Sequence, residues 1–436
     1  MKRTLVMAAM ALLVSATVAQ AQMKVDEEGI KKKLAKSDAD IQNPKKNAKP
    51  ATWITRGKAY YEAATAPTAG LYAGMDEKAA TIMFGKPKTS PKQIGDVNYK
   101  SLRFPYFRAY ADDKGQIVMW EQTLKLAENP LGTAYEAYAK AYEMDKNAKV
   151  KDDMEALVNA YKQDAQNAYS LVKYKNAASL FRKAYDIEKH PALNRIDTAA
   201  IFNAGYLYTM ANDYKNGAKN LKVAKDLGYE NNGDIYYLMY YCYNGMKDTV
   251  NAKQILLDGL AKYPKNTNIV TYLLSFYANG GGDPQEIIPI VQKSIENDPK
   301  NPDLWSGLGR IYDKLGQPDK SIEAFAKAAE LMPKDFGAHF NLGLLYIKKG
   351  DEMNKEMNAR QYDSQNEYNE ALAAVNAVYA KSIAPLELAL ELNPKEPATV
   401  ELLKNVCFRL RDEPGIMEKY NKYNEMFKNM PQQPAQ

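Results

Sequence analysis

The chain has 436 residues, 46% of them hydrophobic and 26% charged, proportions that argue against a disordered or membrane-embedded body and suit either several globular domains or one long repeat array. The formal charge of +6 is a weak excess, and no block of cations extends beyond Lys31-Lys32-Lys33, so the electrostatic footprint of a nucleic-acid binder is missing. Two cysteines and two histidines leave few reagents for metal or nucleophile chemistry.

The chain opens on Met1-Lys2-Arg3, the almost wholly apolar Leu5 to Val18, and Ala19-Gln20-Ala21. That order reads as a signal peptide over 1–21, cleaved after Ala21. The apolar stretch is shorter than the roughly 20 residues that cross a bilayer. No cysteine follows the cleavage region to carry a lipid. The expectation is an exported protein with no direct membrane span, periplasmic, associated with the outer membrane, or secreted.

Residues 22–48, rich in Lys and Asp, read as a short helix and a linker. Over 49–156 the pattern Trp53-x2-Arg56-Gly57-x2-Tyr60 marks the first helix of a pair, and Ala134-x3-Tyr138-x2-Ala141 marks the second. Between them, at about 62–128, Gly and Pro abound. Alternating segments flank Asp112-Asp113-Lys114-Gly115, a hairpin signal with Gly at the left-handed position, so a small β element is expected on a split helix pair.

A regular array continues over 157–335. Ala177, Phe181 and Ala184 mark a second helix before Pro191. Ile201, Ala204, Gly205 and Tyr208 precede Gly217, Leu221 and Ala224. Tyr236, Met239, Tyr240 and Tyr243 precede Ala252, Leu256, Gly259 and Pro264. A looser unit has Leu273, Leu274 and Tyr277, a turn lengthened by Gly280-Gly281-Gly282, and Ile287, Val291, Ser294 and Pro299. The clearest unit runs Trp305-x2-Leu308-Gly309-x2-Tyr312, Gly316, Ser321-x3-Phe325, Ala328, Pro333. Small residues at Gly309, Ser321 and Ala328 let two helices approach, and Pro333 ends the second because it has no N–H to donate.

This constellation, at a spacing near 34 residues, resembles the tetratricopeptide-repeat (TPR) family; in the clearest unit only Ser321 departs, from Ala. The resemblance implies an all-α superhelical solenoid of antiparallel helix pairs that binds protein or peptide partners, uses no cofactor and performs no chemistry. The unit at 336–396 has His339, Leu342, Gly343 and Tyr346 in its first helix, but Ser382, Leu386, Ala389 and Pro394 appear only after a polar insertion from Glu352 to Val378. Both its helices are expected to lengthen into a projecting hairpin. Residues 397–429, with Leu403, Cys407, Ile416, Tyr420 and Tyr423, read as a capping pair, and the tail 430–436 as disordered.

In the family the first helix of each unit lines a concave groove. Carried over by register, that face holds Phe202, Tyr206 and Met210; Tyr237, Tyr241 and Asn244; Asp303, Ser306, Arg310 and Lys314; and Phe340, Leu344 and Lys348. It begins aromatic and becomes charged, and aromatic residues and Arg most often dominate binding. Position five holds Ile54, Phe202, Tyr237, Ser306 and Phe340, so the Lys of a carboxylate clamp is missing. His339 reads as a packing residue between repeats. His190, at a helix end, reads as a cation complementing the dipole. Cys242 and Cys407, far apart along a solenoid, read as buried and unpaired. The resulting reading is a cell-envelope scaffold that binds a partner segment in the groove. The alternatives are a secreted adhesin or receptor using the β element around Tyr99 to Trp120 with the solenoid as stalk, and a self-assembling structural protein.

Overall fold

A computed structural model describes residues 23–430. The expected signal peptide and the residues of the tail after Met430 lie outside them. The described chain forms two compact units that divide between Tyr229 and Glu230.

In the first unit α1 (Glu27–Gln42) and α2 (Pro44–Asn47) precede α3 (Pro50–Thr65). Residues expected as a short helix and a linker thus form a full helix. Ile30 and Leu34 of α1 are buried against Ala59 and Ala63 of α3. This explains the off-pattern Arg56, which stands where the repeat would have Leu. Arg56 pairs with Asp38 of α1, lies over the Tyr60 ring at 4.5 Å, and Tyr60 donates to the same carboxylate at 2.8 Å. Desolvation raises the Asp38 pKa, but the hydrogen bonds from Arg56 and Tyr60 outweigh it and hold the carboxyl below its usual value.

The chain then leaves the helix pair for an antiparallel sheet of β1 (Met75–Asp76), β2 (Lys88–Ile94), β3 (Val97–Arg103), β4 (Phe107–Ala111) and β5 (Gln116–Gln122), with α4 (Glu77–Phe84) after β1. The strand order is β1-β5-β4-β3-β2. The β element is therefore a five-stranded sheet, larger than the expected hairpin. It has its own core, in which Phe84, Phe104 and Phe107 meet with ring centroids 4.8–5.9 Å apart, backed by Leu102, Ile117 and Trp120. The β4–β5 turn has Gly115 at φ 76°, as its sequence requires. Asn167 seats the sheet on the helices by accepting from the Trp120 backbone N–H at 3.3 Å.

Helix α5 (Pro130–Met144) then closes the pair with α3. Two uninterrupted pairs complete the first unit, α6 (Lys151–Ser170) with α7 (Tyr174–Glu188) and α8 (Thr198–Met210) with α9 (Tyr214–Asp226). The second unit holds α10 (Asp234–Gly245), α11 (Thr249–Lys262), α12 (Thr267–Ala278), α13 (Ile288–Asn297), α14 (Pro302–Lys314), α15 (Pro318–Leu331), α16 (Phe336–Ala359), α17 (Gln365–Ala380), α18 (Ile383–Leu392), α19 (Pro397–Arg409) and α20 (Ile416–Lys428).

Three devices recur from pair to pair. The turn between the two helices has a left-handed residue, at Val172, Asn212, Lys247, Gly280 and Gly316. A ring nitrogen near the start of the first helix reaches a carbonyl six residues back: Trp53 Nε1 donates to Asn47, Trp305 Nε1 donates to Pro299, each at 3.0 Å, and His339 Nε2 lies 3.1 Å from Pro333. A glycine on the first helix lies against a large side chain of the second. A Cβ on Gly57, Gly205, Gly309 or Gly343 would come within 2.3–2.7 Å of Tyr138, Leu221, Phe325 or Leu386. In the α10/α11 pair the partners are reversed, with Gly259 of α11 against Tyr236 of α10. The same contact thus closes uninterrupted pairs and both interrupted ones. Ser321, the off-pattern residue, is fully buried and donates its hydroxyl to the Gly309 carbonyl at 2.8 Å.

The second interrupted pair differs from the expected hairpin in one respect. Helix α16 is lengthened, but its partner is broken into α17 and α18 at Lys381 and Ser382. Pro385, in the first turn of α18, has no N–H for the Lys381 carbonyl, which accounts for the break.

Candidate functional site

The first-helix face of the second unit is built on α10, α12, α14 and α16. Tyr237 and Tyr241 are four residues apart on α10 and so share a face. Tyr272 of α12 lies between their rings, stacked on Tyr237 at 5.3 Å and edge-on to Tyr241 at 6.3 Å. Tyr272 also meets Tyr240 at 5.5 Å. Tyr241 is 52% exposed; Tyr237 and Tyr272 are half-buried. Burial first, and then the neighbouring Tyr241, push the Tyr272 phenol above its ordinary value, so it is neutral at physiological pH and able to donate. Sequence reasoning missed Tyr272. The looser register of its unit hid the position, and the signal available was the spacing from Tyr237 and Tyr241.

The charged residues divide into committed and open ones. Lys314 donates to the Tyr277 and Ala278 carbonyls at 3.4 and 3.0 Å, capping the C-terminus of α12, where a cation suits both the unpaired carbonyls and the dipole. Lys348 is tied to Asp313 at 3.1 Å. Arg310 is exposed on α14 with no ion-pair or hydrogen-bond partner among the described residues. Asn244 and Asp303 are exposed, and Ser306 is half-buried. Phe340 stacks on Phe336 at 5.4 Å and packs on the core of α17 to α20, which removes much of it from an open face. Leu344 is half-buried.

The α8 residues belong to the first unit. Phe202 stacks on Tyr206 at 6.4 Å and meets Tyr229 at 4.7 Å, while Tyr206 and Met210 pack against Ala168, Ala177, Ala178 and Leu207. All three are half-buried. The same unit holds a charged network that the sequence did not announce. Glu188, 1% exposed, takes Lys162 at 3.0 Å and Arg195 at 2.8 Å, and Lys162 also holds Asp197 at 2.6 Å.

The two histidines take different roles. His339 is buried, as a packing residue. His190 is not the expected dipole cation. Burial and then Lys146 lower its pKa, its Nδ1 accepts from the Ala192 N–H at 3.2 Å, and Tyr142 meets its ring edge-on at 5.2 Å; a ring nitrogen that accepts is an unprotonated one. Cys242 and Cys407 are buried and form no disulfide. Among the described residues no group of three or more His, Cys, Asp or Glu side chains could hold a metal ion, and no helix is long and apolar enough to cross a membrane.

Family models of the tetratricopeptide repeat match residues 291–323 and 309–350. A TPR repeat-containing protein of Methanocaldococcus jannaschii is 24% identical over 204 residues, 43% of this chain and 34% of that protein. The photosystem I assembly protein Ycf3 of Prochlorococcus marinus is 28% identical over 105 residues, 23% of this chain and 60% of that one. The chain thus spans less than two thirds of either relative. Among solved structures, YrrB, a TPR protein with an unusual peptide-binding site, is 22% identical, with a TM-score of 0.34 over 47% of this chain and 96% of that one.

Proposed function

We propose that this chain, which belongs to the tetratricopeptide-repeat family, is a non-enzymatic scaffold that holds a partner protein's segment on its first-helix face. Folds of this family mediate protein–protein interaction. The observation that carries the reading here is the tyrosine cluster of Tyr237, Tyr241 and Tyr272, with one ring more than half exposed, on the same unit as the unpartnered guanidinium of Arg310. Tyr rings bring a large contact area at small entropic cost, and Arg adds a two-pronged donor. Apolar or aromatic side chains on an extended or helical segment suit the rings. The leader-like N-terminus supports export, and with it a place in the cell envelope.

The test is an in-cell crosslinking pull-down with wild type and a Tyr241→Ala/Arg310→Ala variant. Both side chains are exposed, so the variant should keep its circular dichroism. At about 2 kcal/mol for each hot spot, treated as additive, the loss is several hundredfold. Recovery of the same partner with both proteins overturns the reading.

A further inference from the structure

Cross-strand pairing sets three cations in one row of the sheet. Lys88 on β2 is directly opposite Arg103 on β3, and Arg103 is directly opposite Arg108 on β4. Opposed residues of an antiparallel ladder project from the same face, and strands are about 4.8 Å apart, so the three stems leave the backbone within about 10 Å. Like charges placed in this way repel. The row ends on one carboxylate, Glu121 opposite Arg108 on β5, and that carboxylate is already taken by Tyr110, at 2.7 Å, and by Lys173. Glu121 thus answers Lys173 and Arg108, and the two cations farther along the row, Lys88 and Arg103, are left without an anion. Lys88 and Arg103 are exposed and have no ion-pair or hydrogen-bond partner among the described residues.

The fold leaves Lys88 beside Arg103 with no anion to answer either, and the surroundings define what would relieve that repulsion. Acidic residues are at the other end of the same strands, with Asp96 in the β2–β3 turn and Asp112 and Asp113 in the β4–β5 turn. The positive field is therefore short and local, which suits a few carboxylates better than a continuous anionic surface. The sheet edge is blunted. β2 contains Pro91, which has no N–H, between Lys88 and Lys92, a composition that opposes addition of another strand. Recognition at this place must run through side chains on the face.

We infer that Lys88, Arg103 and Arg108 form a docking site for a short acidic segment of a partner protein, whose Asp or Glu carboxylates take the guanidinium of Arg103 in a two-pronged pair. The site is distinct from the first-helix face and stands or falls separately from it.

The probe is a short fluorescent peptide alternating Glu and Ser, titrated with the full chain in low salt and read by anisotropy. Wild type should bind, and Lys88→Ala/Arg103→Ala should bind at least about tenfold more weakly, the equivalent of one charge-assisted pair. Arg103→Lys should fall between them, because an ammonium keeps the charge and loses the fork. Lys215→Ala/Lys219→Ala, which removes two exposed lysines of the same unit, should match wild type. Circular dichroism checks that every variant is folded. The inference is overturned if wild type does not bind the peptide, if the Lys88/Arg103 variant binds equally well, or if the Lys215/Lys219 variant weakens as much. Capture of the chain by anionic vesicles with no binding of the peptide overturns it as well.

Discussion

Between α3 and α5 the chain leaves the helix pair for a sheet that has its own core of Phe84, Phe104 and Phe107. Between α16 and α18 it remains largely helical, and the inserted residues Met357 and Val375 join the same core as Leu386, Leu403 and Tyr423. Both excursions are closed by a glycine contact, Gly57 on Tyr138 and Gly343 on Leu386. Closure of a repeat therefore depends on the contact between its helices and is indifferent to the path between them. An insertion with enough large apolar residues can choose a new topology, whereas one that lacks them must extend what exists.

The largest effect should come from Phe107→Ala, because the ring is fully buried at the centre of the three phenylalanines. A loss of about 3–5 kcal/mol is expected, confined to the sheet: the helical signal in circular dichroism should persist while hydrogen exchange in β2 to β5 rises. Loss of both together would show that the sheet is not an independent core. Next, Gly57→Ala and Gly343→Ala should each destabilise by about 1–3 kcal/mol, as overpacking does, measured by chemical denaturation. A cost at Gly343 with none at Gly57 would end the equivalence of the two closures.

Val172→Gly should act in the opposite direction. Val172 is a β-branched residue at φ 61° in the turn before α7, where glycine has no Cβ to clash, so a gain of about 1–2 kcal/mol is expected. Glu387→Gln probes the helical excursion's own core. Glu387 accepts from Lys419 at 2.8 Å and Tyr423 at 2.5 Å; burial alone would raise its pKa, but these bonds outweigh it and hold the carboxyl below 4.5. A depressed folded pKa means that the contribution to stability is complete above the unfolded value and is lost as pH falls through the folded one. Wild type should therefore lose stability on acidification below about pH 4.5 more steeply than the variant, which starts roughly 1 kcal/mol lower. The smallest effect is expected of the thiols. Burial pushes the Cys407 thiol up to about 11, so it stays protonated and should react with a thiol reagent only on unfolding.

Periodicity and small-residue spacing were enough to read a solenoid of helix pairs with a small β element near its N-terminus, because a repeat's close contacts are local and each unit restates them. Cysteine and His339 burial followed from the same register. The sequence could not show that Arg56 has its partner in α1, that Pro385 divides a helix, or that His190 is an acceptor, since each depends on a neighbour that the register does not encode. Of the proposed site on the first-helix face, the sequence singled out Tyr237, Tyr241 and Arg310 but not Tyr272, and Lys314 caps a helix. The row of Lys88, Arg103 and Arg108 was the least legible feature. These residues lie on three successive strands, and only the register of those strands brings their charges side by side. What repeats could be read from the residues alone, because helix-pair contacts recur at fixed short intervals; what faces what waited on the folded chain, because strand register and contacts between distant helices have no period to read.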